Sequence, residues 1–279
     1  MSTVDAAIGD PYRARVVDRS VVVDQPGLRP VVKLMFNLAS EGNDFEAGVD
    51  IAFRAADFGD EAAAGGLRMY TVESVGRVPF EDSIDVTIYV RAHSDGPESS
   101  VARRLCALDQ GESVSLYGPF PYPFYPPMGS RSNMVLIGAG CGMVPFRWLV
   151  HRLQARKLDW MGKVLMVEGS ETGLEHLYLN KHGADLDQYF DQATQHAFDA
   201  LKTRYSAMAL DGEQGREANM AALWRLLGMG SVYVYVAGYR AVAEALDDAM
   251  SRHLRLTGRW QETKSTLLRE GHWLEYLYD

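Results

Sequence analysis

"NMVLIGAGCGMVPFRWL", residues 133–149, is the stretch on which the reading of this chain turns. An apolar run leads into Gly138, Gly140 and Gly142, and helix-forming residues follow Met143. A strand, a glycine turn and a helix start in that order leave unhindered backbone N–H groups where a pyrophosphate could rest. Taken alone, a Gly-x-Gly-x-Gly turn is as often a tight structural connection. Pro145 stands where the third glycine of the usual dinucleotide fingerprint would be. A proline there fits the first helical turn, in which a missing N–H costs no hydrogen bond.

Downstream, strands alternate with helices. "GKVLMVEGS" and "SVYVYVAG" read as strands, while "NMAALWRLLG" and "RAVAEALDDAMSRHLR" read as helices. Such alternation predicts a parallel sheet covered on both faces. Upstream the period is two. "RARVVDRSVVVD", "RPVVKLMFNLA", "GVDIAFRA", "LRMYTVESV", "SIDVTIYVRAH" and "ESVSLYG" are short β-rich runs separated by turn residues, which predicts an antiparallel barrel. One helix interrupts it at "SSVARRLCAL", with Ser99 or Ser100 as N-cap and Val101, Leu105 and Leu108 on one face. Between the halves lies "GPFPYPFYPPMGSR", with five prolines and four aromatics. No helix runs through that sequence. It is an extended connector, and the expected division is residues 1–129 and 130–279.

The 279 residues suffice for two domains, and their 47% hydrophobic and 23% charged content is that of an ordinary globular protein. No run approaches a membrane span, and the opening "MSTVDAAIGDPYRARVV" lacks a secretory core, so the expectation is a cytoplasmic protein without membrane insertion. A net charge of −9 argues against non-specific nucleic-acid binding. The only cysteines, Cys106 and Cys141, cannot hold an iron–sulfur cluster or a structural zinc, and no metal site is expected.

Two further clusters carry chemistry. In "LRMYTVES", alternation places Arg68, Tyr70 and Val72 on one face and Met69 and Thr71 on the other. A guanidinium, a ring and a hydroxyl this close suit a flat anionic cofactor, although an ordinary half-exposed strand would look the same. The closing "EGHWLEYLYD" is aromatic and strand-like. It could be a docked terminal strand or a lid over a planar ligand.

In order and spacing these clusters resemble the plant-type ferredoxin–NADP reductase family, from about Pro11 to the last residue. The family's flavin signature Arg-x-Tyr-Ser/Thr stands as Arg68, Tyr70 and Thr71. Its nucleotide-domain signature stands as Gly138-Ala-Gly-Cys-Gly-Met-Val-Pro-Phe-Arg147. Gly118-Pro119, "VYVAG" at residues 234–238 and the aromatic close from Trp260 to Tyr278 follow in register.

The resemblance implies a Greek-key FAD-binding barrel followed by a Rossmann-like nucleotide-binding domain. It implies an FAD-dependent reductase that takes hydride from NADPH (or NADH) onto flavin N5. Single electrons would then pass to a separate carrier protein, ferredoxin or flavodoxin, which could supply an oxygenase.

By the same resemblance, Arg68 meets the FAD pyrophosphate, Tyr70 stacks on the isoalloxazine and Thr71 bonds near N5. Tyr89, Val90 and Arg91 pack the adenine and phosphates. Ser99, Ser100, Val101 and Ala102 stand at the phosphate-binding Gly-x-x-Ser turn, with both of its ends changed. Gly138, Gly140, Cys141, Gly142, Pro145 and Gly238 line the nicotinamide-nucleotide site. Thr203 and Arg204 clamp the 2′-phosphate, and Tyr278 covers the flavin. Thr71, Tyr278 and Glu275 form the implied catalytic set.

The sequence departs from the family in two places. Ala237 replaces a cysteine beside the nicotinamide, and Glu275 sits one position early with Tyr276 in its slot, which on a strand turns the side chain to the other face. Two alternatives remain open. One is an NAD(P)H-dependent flavin or small-molecule reductase without a protein carrier. The other is a nucleotide-binding module that has lost turnover.

Overall fold

A computed structural model describes residues 9–23, 31–39, 45–59, 67–91, 99–129, 131–138, 140–146, 148–149, 162, 164–168, 208–209, 220–221, 223–254 and 257–278. The chain forms two compact units, Met1–Pro123 and Phe124–Asp279. Phe124 opens the second unit because its buried ring stacks on Phe146 at 5.4 Å and tilts against Tyr235 at 5.1 Å. The division expected after residue 129 lies further along the same connector. Tyr235 donates its hydroxyl hydrogen to the Tyr125 carbonyl at 2.6 Å, tying the connector to the second unit. Burial, with a smaller contribution from Tyr233, pushes the Tyr235 phenol well above the ordinary tyrosine range.

The first unit is a seven-stranded sheet built from β1 (Tyr12–Val23), β2 (Val31–Ala39), β3 (Asp50–Arg54), β4 (Leu67–Thr71), β5 (Ser74–Arg77), β6 (Ser83–Arg91) and β7 (Ser113–Phe120). Their order is β4-β3-β7-β1-β2-β6-β5, with antiparallel pairings throughout. The strand β7 returns between β3 and β1, as in a Greek key.

Alternation decides which side faces in. Val32, Leu34, Phe36 and Leu38 of β2 and Ile84, Val86, Ile88 and Val90 of β6 are buried in one core. The strand β1 pairs with β7 over Tyr12–Arg15 and with β2 from Arg15 onward, with a shift of register between Val16 and Asp18.

The sheet closes on itself through two residues. The strands β4 and β5 lie at opposite ends of the order, yet only Val72 and Glu73 separate them. Val72 donates its N–H to the Val49 carbonyl beside β3, and Glu73 donates to Thr87 of β6, each at 2.8 Å. The expected antiparallel barrel is present. Helix α1 (Ser99–Cys106) packs Val101, Ala102 and Leu105 into its core. Both Ser99 and Ser100 are inside the helix, so neither is the cap that the sequence suggests; the residues before Ser99 lie outside the described ones.

The second unit holds a five-stranded parallel sheet: β8 (Asn133–Gly138), β9 (Val164–Glu168), β10 (Met208–Ala209), β11 (Val232–Tyr239) and β12 (Trp273–Tyr278). The order is β10-β9-β8-β11-β12. All of β8 is buried, as a central parallel strand must be. Helices α2 (Arg240–Leu254) and α3 (Thr257–Arg269) join β11 to β12.

The sequence reading contained no helix at α3. The segment is mostly polar, and among its described side chains the buried stripe runs through Trp260 and Leu267, with half-buried Lys264 between them.

Candidate functional site

In the parallel sheet, the chain leaves β8 toward β9 on one side, while β11 lies on the other. The crevice outside the carboxyl ends of β8 and β11 is therefore the topological switch point, where α/β sheets bind ligands. Both strands reach it with glycine or alanine: Gly138 pairs with Ala237, and Gly238 follows with φ 131°, a conformation that favours glycine. No side chain fills the mouth of the crevice from these positions.

The glycine turn occupies that mouth as a short 3-10 turn, Gly140–Met143, followed by helical residues from Val144. Pro145 is buried in the first helical turn, the position expected for it. The glycines also have a packing reason. A Cβ on Gly142 would lie 2.3 Å from the Ala237 carbonyl oxygen and 2.6 Å from Gly238 N. One on Gly138 would meet Met143 Sδ at 2.6 Å. The turn thus rests directly on β11, and Cys141 within it is partly exposed and not in a disulfide.

In the barrel, Arg68, Tyr70 and Thr71 all lie on β4, immediately before the residues that close the sheet. Arg68 is paired with Phe53 and Tyr70 with Ile51, so both sit on the face of β3 and β4 that carries core residues. The Tyr70 ring is half-buried and edge-on to Phe53 at 5.8 Å. Thr71 occupies the opposite face and is buried. Its hydroxyl donates to Asp50 Oδ1 at 2.7 Å. Nothing in the sequence singled out Asp50; the available signal was one acid in an otherwise apolar strand core, "DIAF".

On β6, Tyr89 and Arg91 point away from the core and are nevertheless almost buried, whereas Val90 is inside it. Lys33 stands over the Tyr89 ring at 5.8 Å. Val90 can therefore offer a ligand only its backbone. The same holds for Val101 and Ala102, whose side chains are in the core. Residues 99–102 are, however, the first turn of α1, the positive end of the helix dipole. A helix start of this kind suits a phosphate, and the substituted ends of the turn leave that capacity intact.

The near-terminal carboxylate has a different environment from the one the catalytic assignment implied. Glu275 Oε1 accepts the Trp273 indole N–H at 2.7 Å and lies 3.0 Å from Lys264 Nζ. Lys264 also pairs with Asp247 at 2.8 Å, and Asp247 accepts the Trp260 indole N–H at 2.8 Å. Glu275 is thus committed to a bridge among α2, α3 and β12. Tyr276, on the other face of β12, packs edge-on to Phe124 at 6.3 Å. Backbone pairing sets Tyr278 opposite Tyr239. Thr203 and Arg204 lie outside the described residues.

Burial, the largest single influence, pulls the Lys264 pKa down. The hydrogen bonds and charges of Asp247 and Glu275 together outweigh it, and the pKa lies above the ordinary lysine value. A cation whose folded pKa is raised contributes its full stabilisation below its unfolded pKa and loses it as pH climbs through the folded value. Lys264→Met should therefore lower stability by about 2 kcal/mol near neutrality, less than for a fully buried pair because both acids are partly exposed. In denaturant titrations the gap to the native chain should close only above pH ~10.5. A gap independent of pH would mean that packing of the lysine stem, not charge, is what was lost.

Among the described residues there is no helix long and apolar enough to cross a membrane and no group of side chains placed to hold a metal. No protein-family model matches the chain. It is 22% identical over 283 residues to the ferredoxin–NADP reductase of Synechocystis, covering 94% of this chain and 66% of that protein. To the enzyme of Thermosynechococcus vestitus it is 24% identical over 281 residues, covering 95% and 72%. The chain thus spans about two thirds of the length of these curated relatives.

The fold is that of the ferredoxin–NADP reductase of Plasmodium falciparum, with a TM-score of 0.59 at 13% identity over 96% of both chains. An Amycolatopsis cytochrome P450 reductase superposes with a TM-score of 0.56 at 18% identity, over 97% of this chain and 70% of that one. Relatives matched over nearly the whole chain, and a barrel and parallel sheet carrying the expected motifs at the expected places, agree: in sequence this chain is similar to ferredoxin–NADP reductases, and it shares their fold.

Proposed function

We propose that the protein is a cytoplasmic FAD-dependent reductase that oxidises NADPH and delivers electrons one at a time to a separate carrier protein, ferredoxin or flavodoxin. What carries this reading is one chain that joins a barrel closed by the Arg68-x-Tyr70-Thr71 strand to a parallel sheet whose switch point is lined by glycine. The residues present fit both groups: the N-terminus of α1 offers a phosphate its positive dipole end, and the crevice above β8 and β11 is clear of side chains from Gly138 and Gly238.

When bound, FAD supplies a two-electron acceptor that can give electrons up singly. The protein's own residues do the rest. Arg68 and the N-terminus of α1 would neutralise the FAD phosphates, and Tyr89 and Arg91 would line the adenine end. Tyr70 would hold the flavin ring, and Thr71 would offer its hydroxyl near N5. The turn from Gly140 to Met143 takes the nicotinamide-nucleotide pyrophosphate. By the resemblance, Thr203 and Arg204 would hold the 2′-phosphate. Rate follows mainly from holding the two rings in register, so the replacement of the family cysteine by Ala237 leaves hydride transfer available. Glu275 serves here as a strut for β12, a role its bond to Lys264 supports.

The reading is tested by the visible spectrum of the purified protein, before and after loading with FAD. A bound flavin that bleaches faster with NADPH than with NADH, and recovers on adding ferredoxin or flavodoxin, is the expected result. Recovery with free flavin alone would point to a reductase without a protein carrier, and a protein that takes up no FAD would end the proposal. Arg204→Ala should raise the KM for NADPH roughly 30-fold, the equivalent of about 2 kcal/mol for a charged hydrogen bond, and leave NADH nearly unchanged. Equal losses for both nucleotides would remove Arg204 from the 2′-phosphate site.

A further inference from the structure

We propose that Asp50 is a positioning residue that turns the Thr71 hydroxyl into a hydrogen-bond acceptor toward the flavin, so that this site favours the reduced cofactor. The inference rests on the reading above for the presence of FAD beside Thr71.

Asp50 and Thr71 are directly paired across β3 and β4. The carboxylate is only 2% exposed, and Thr71 donates to it at 2.7 Å. Burying a carboxylate is costly unless it is well bonded. Its strand neighbours Ile51, Ala52 and Phe53 are all buried and apolar, so packing alone does not call for an acid here. Its position opposite the signature threonine points to a role in setting that hydroxyl.

A hydroxyl carries one hydrogen and two lone pairs. With the hydrogen spent on Asp50, Thr71 Oγ1 has only lone pairs left for a third group. Flavin N5 is an acceptor when oxidised and an N–H donor when reduced. A hydroxyl locked in this way matches the reduced state and mismatches the oxidised one. Free of Asp50, the same hydroxyl could rotate and donate to oxidised N5.

The negative charge of Asp50 also acts on the flavin, and a single substitution cannot separate that effect from the hydroxyl's. A double-mutant cycle can, because the charge is the same on both sides of each comparison. The midpoint potential of bound FAD would be measured for the native chain, Thr71→Val, Asp50→Ala and the double variant. Thr71→Ser serves as the conservative control, and Asp50→Asn replaces Asp50→Ala if the latter does not fold. Thr71→Val is expected to lower the potential in the native background and to lower it less, or raise it, once Asp50 is gone. Thr71→Ser should stay near the native value. A rise on Thr71→Val in the native background, or the same shift in both backgrounds, overturns the proposal while leaving the flavoprotein reading intact. Failure of every variant and of the native chain to bind FAD would bring down the parent reading, and this one with it.

Discussion

Gly142→Ala is expected to destabilise the second unit by about 3 kcal/mol, near the top of the range for forcing one extra carbon into a packed site. The added Cβ would fall 2.3 Å from the Ala237 carbonyl oxygen and 2.5 Å from its carbon. Both are backbone atoms of a central strand, held on either side by β8 and β12, and neither can swing away as a side chain would. The turn itself must therefore lift. Affinity for the nicotinamide nucleotide proposed to bind at this turn should fall with stability. FAD retention should not change, because the barrel has its own core. The measurements are a thermal melt and an NADPH titration at equal FAD content. A variant that melts with the native chain would show that the turn does not rest on β11 this closely.

Trp260→Ala should have the largest effect on stability of any single change considered, about 4 kcal/mol. The indole is fully buried, edge-on to Trp273 at 5.7 Å, and its N–H is used on Asp247. Truncation leaves a cavity, removes an aromatic contact and strips one bond from an acid that also serves Lys264. For a unit of this size the loss corresponds to a fall in Tm on the order of 10 °C. Trp260→Phe should cost less, since it keeps most of the ring and loses mainly the hydrogen bond. Because α3 holds β12 through this cluster, nicotinamide turnover should also suffer, through the strand that ends at Tyr278. A melting temperature within a degree or two of the native chain would show that α3 is not anchored by this ring.

Much of the architecture was legible because it rests on local repeats. Val32, Leu34, Phe36 and Leu38 alternate in the sequence and alternate in the barrel. The run from Met134 to Ile137 is apolar throughout and forms the buried centre of the parallel sheet. Arg68, Tyr70 and Thr71 fall on the faces that a period of two assigns them. Helix α3 was not legible, since a surface helix with so few apolar residues leaves a faint stripe. The first turn of α1 was misread for a related reason: serine is common both at the cap and just inside it.

The amino-acid sequence by itself determined the barrel, the alternating second unit and the places at which phosphate-binding backbone would be offered. These follow from spacing and residue type within a few positions of one another. Only the tertiary structure decided how the charged and small residues are used. Whether Glu275 faces a reacting centre or Lys264 depends on which face of β12 meets α3, and that is set by packing between elements. Asp50 acquires its partner through a strand pairing that spans the intervening loop, and Gly142 is required by a strand almost a hundred positions away. Local pattern specifies what a segment can become; the register of distant strands specifies what each side chain touches.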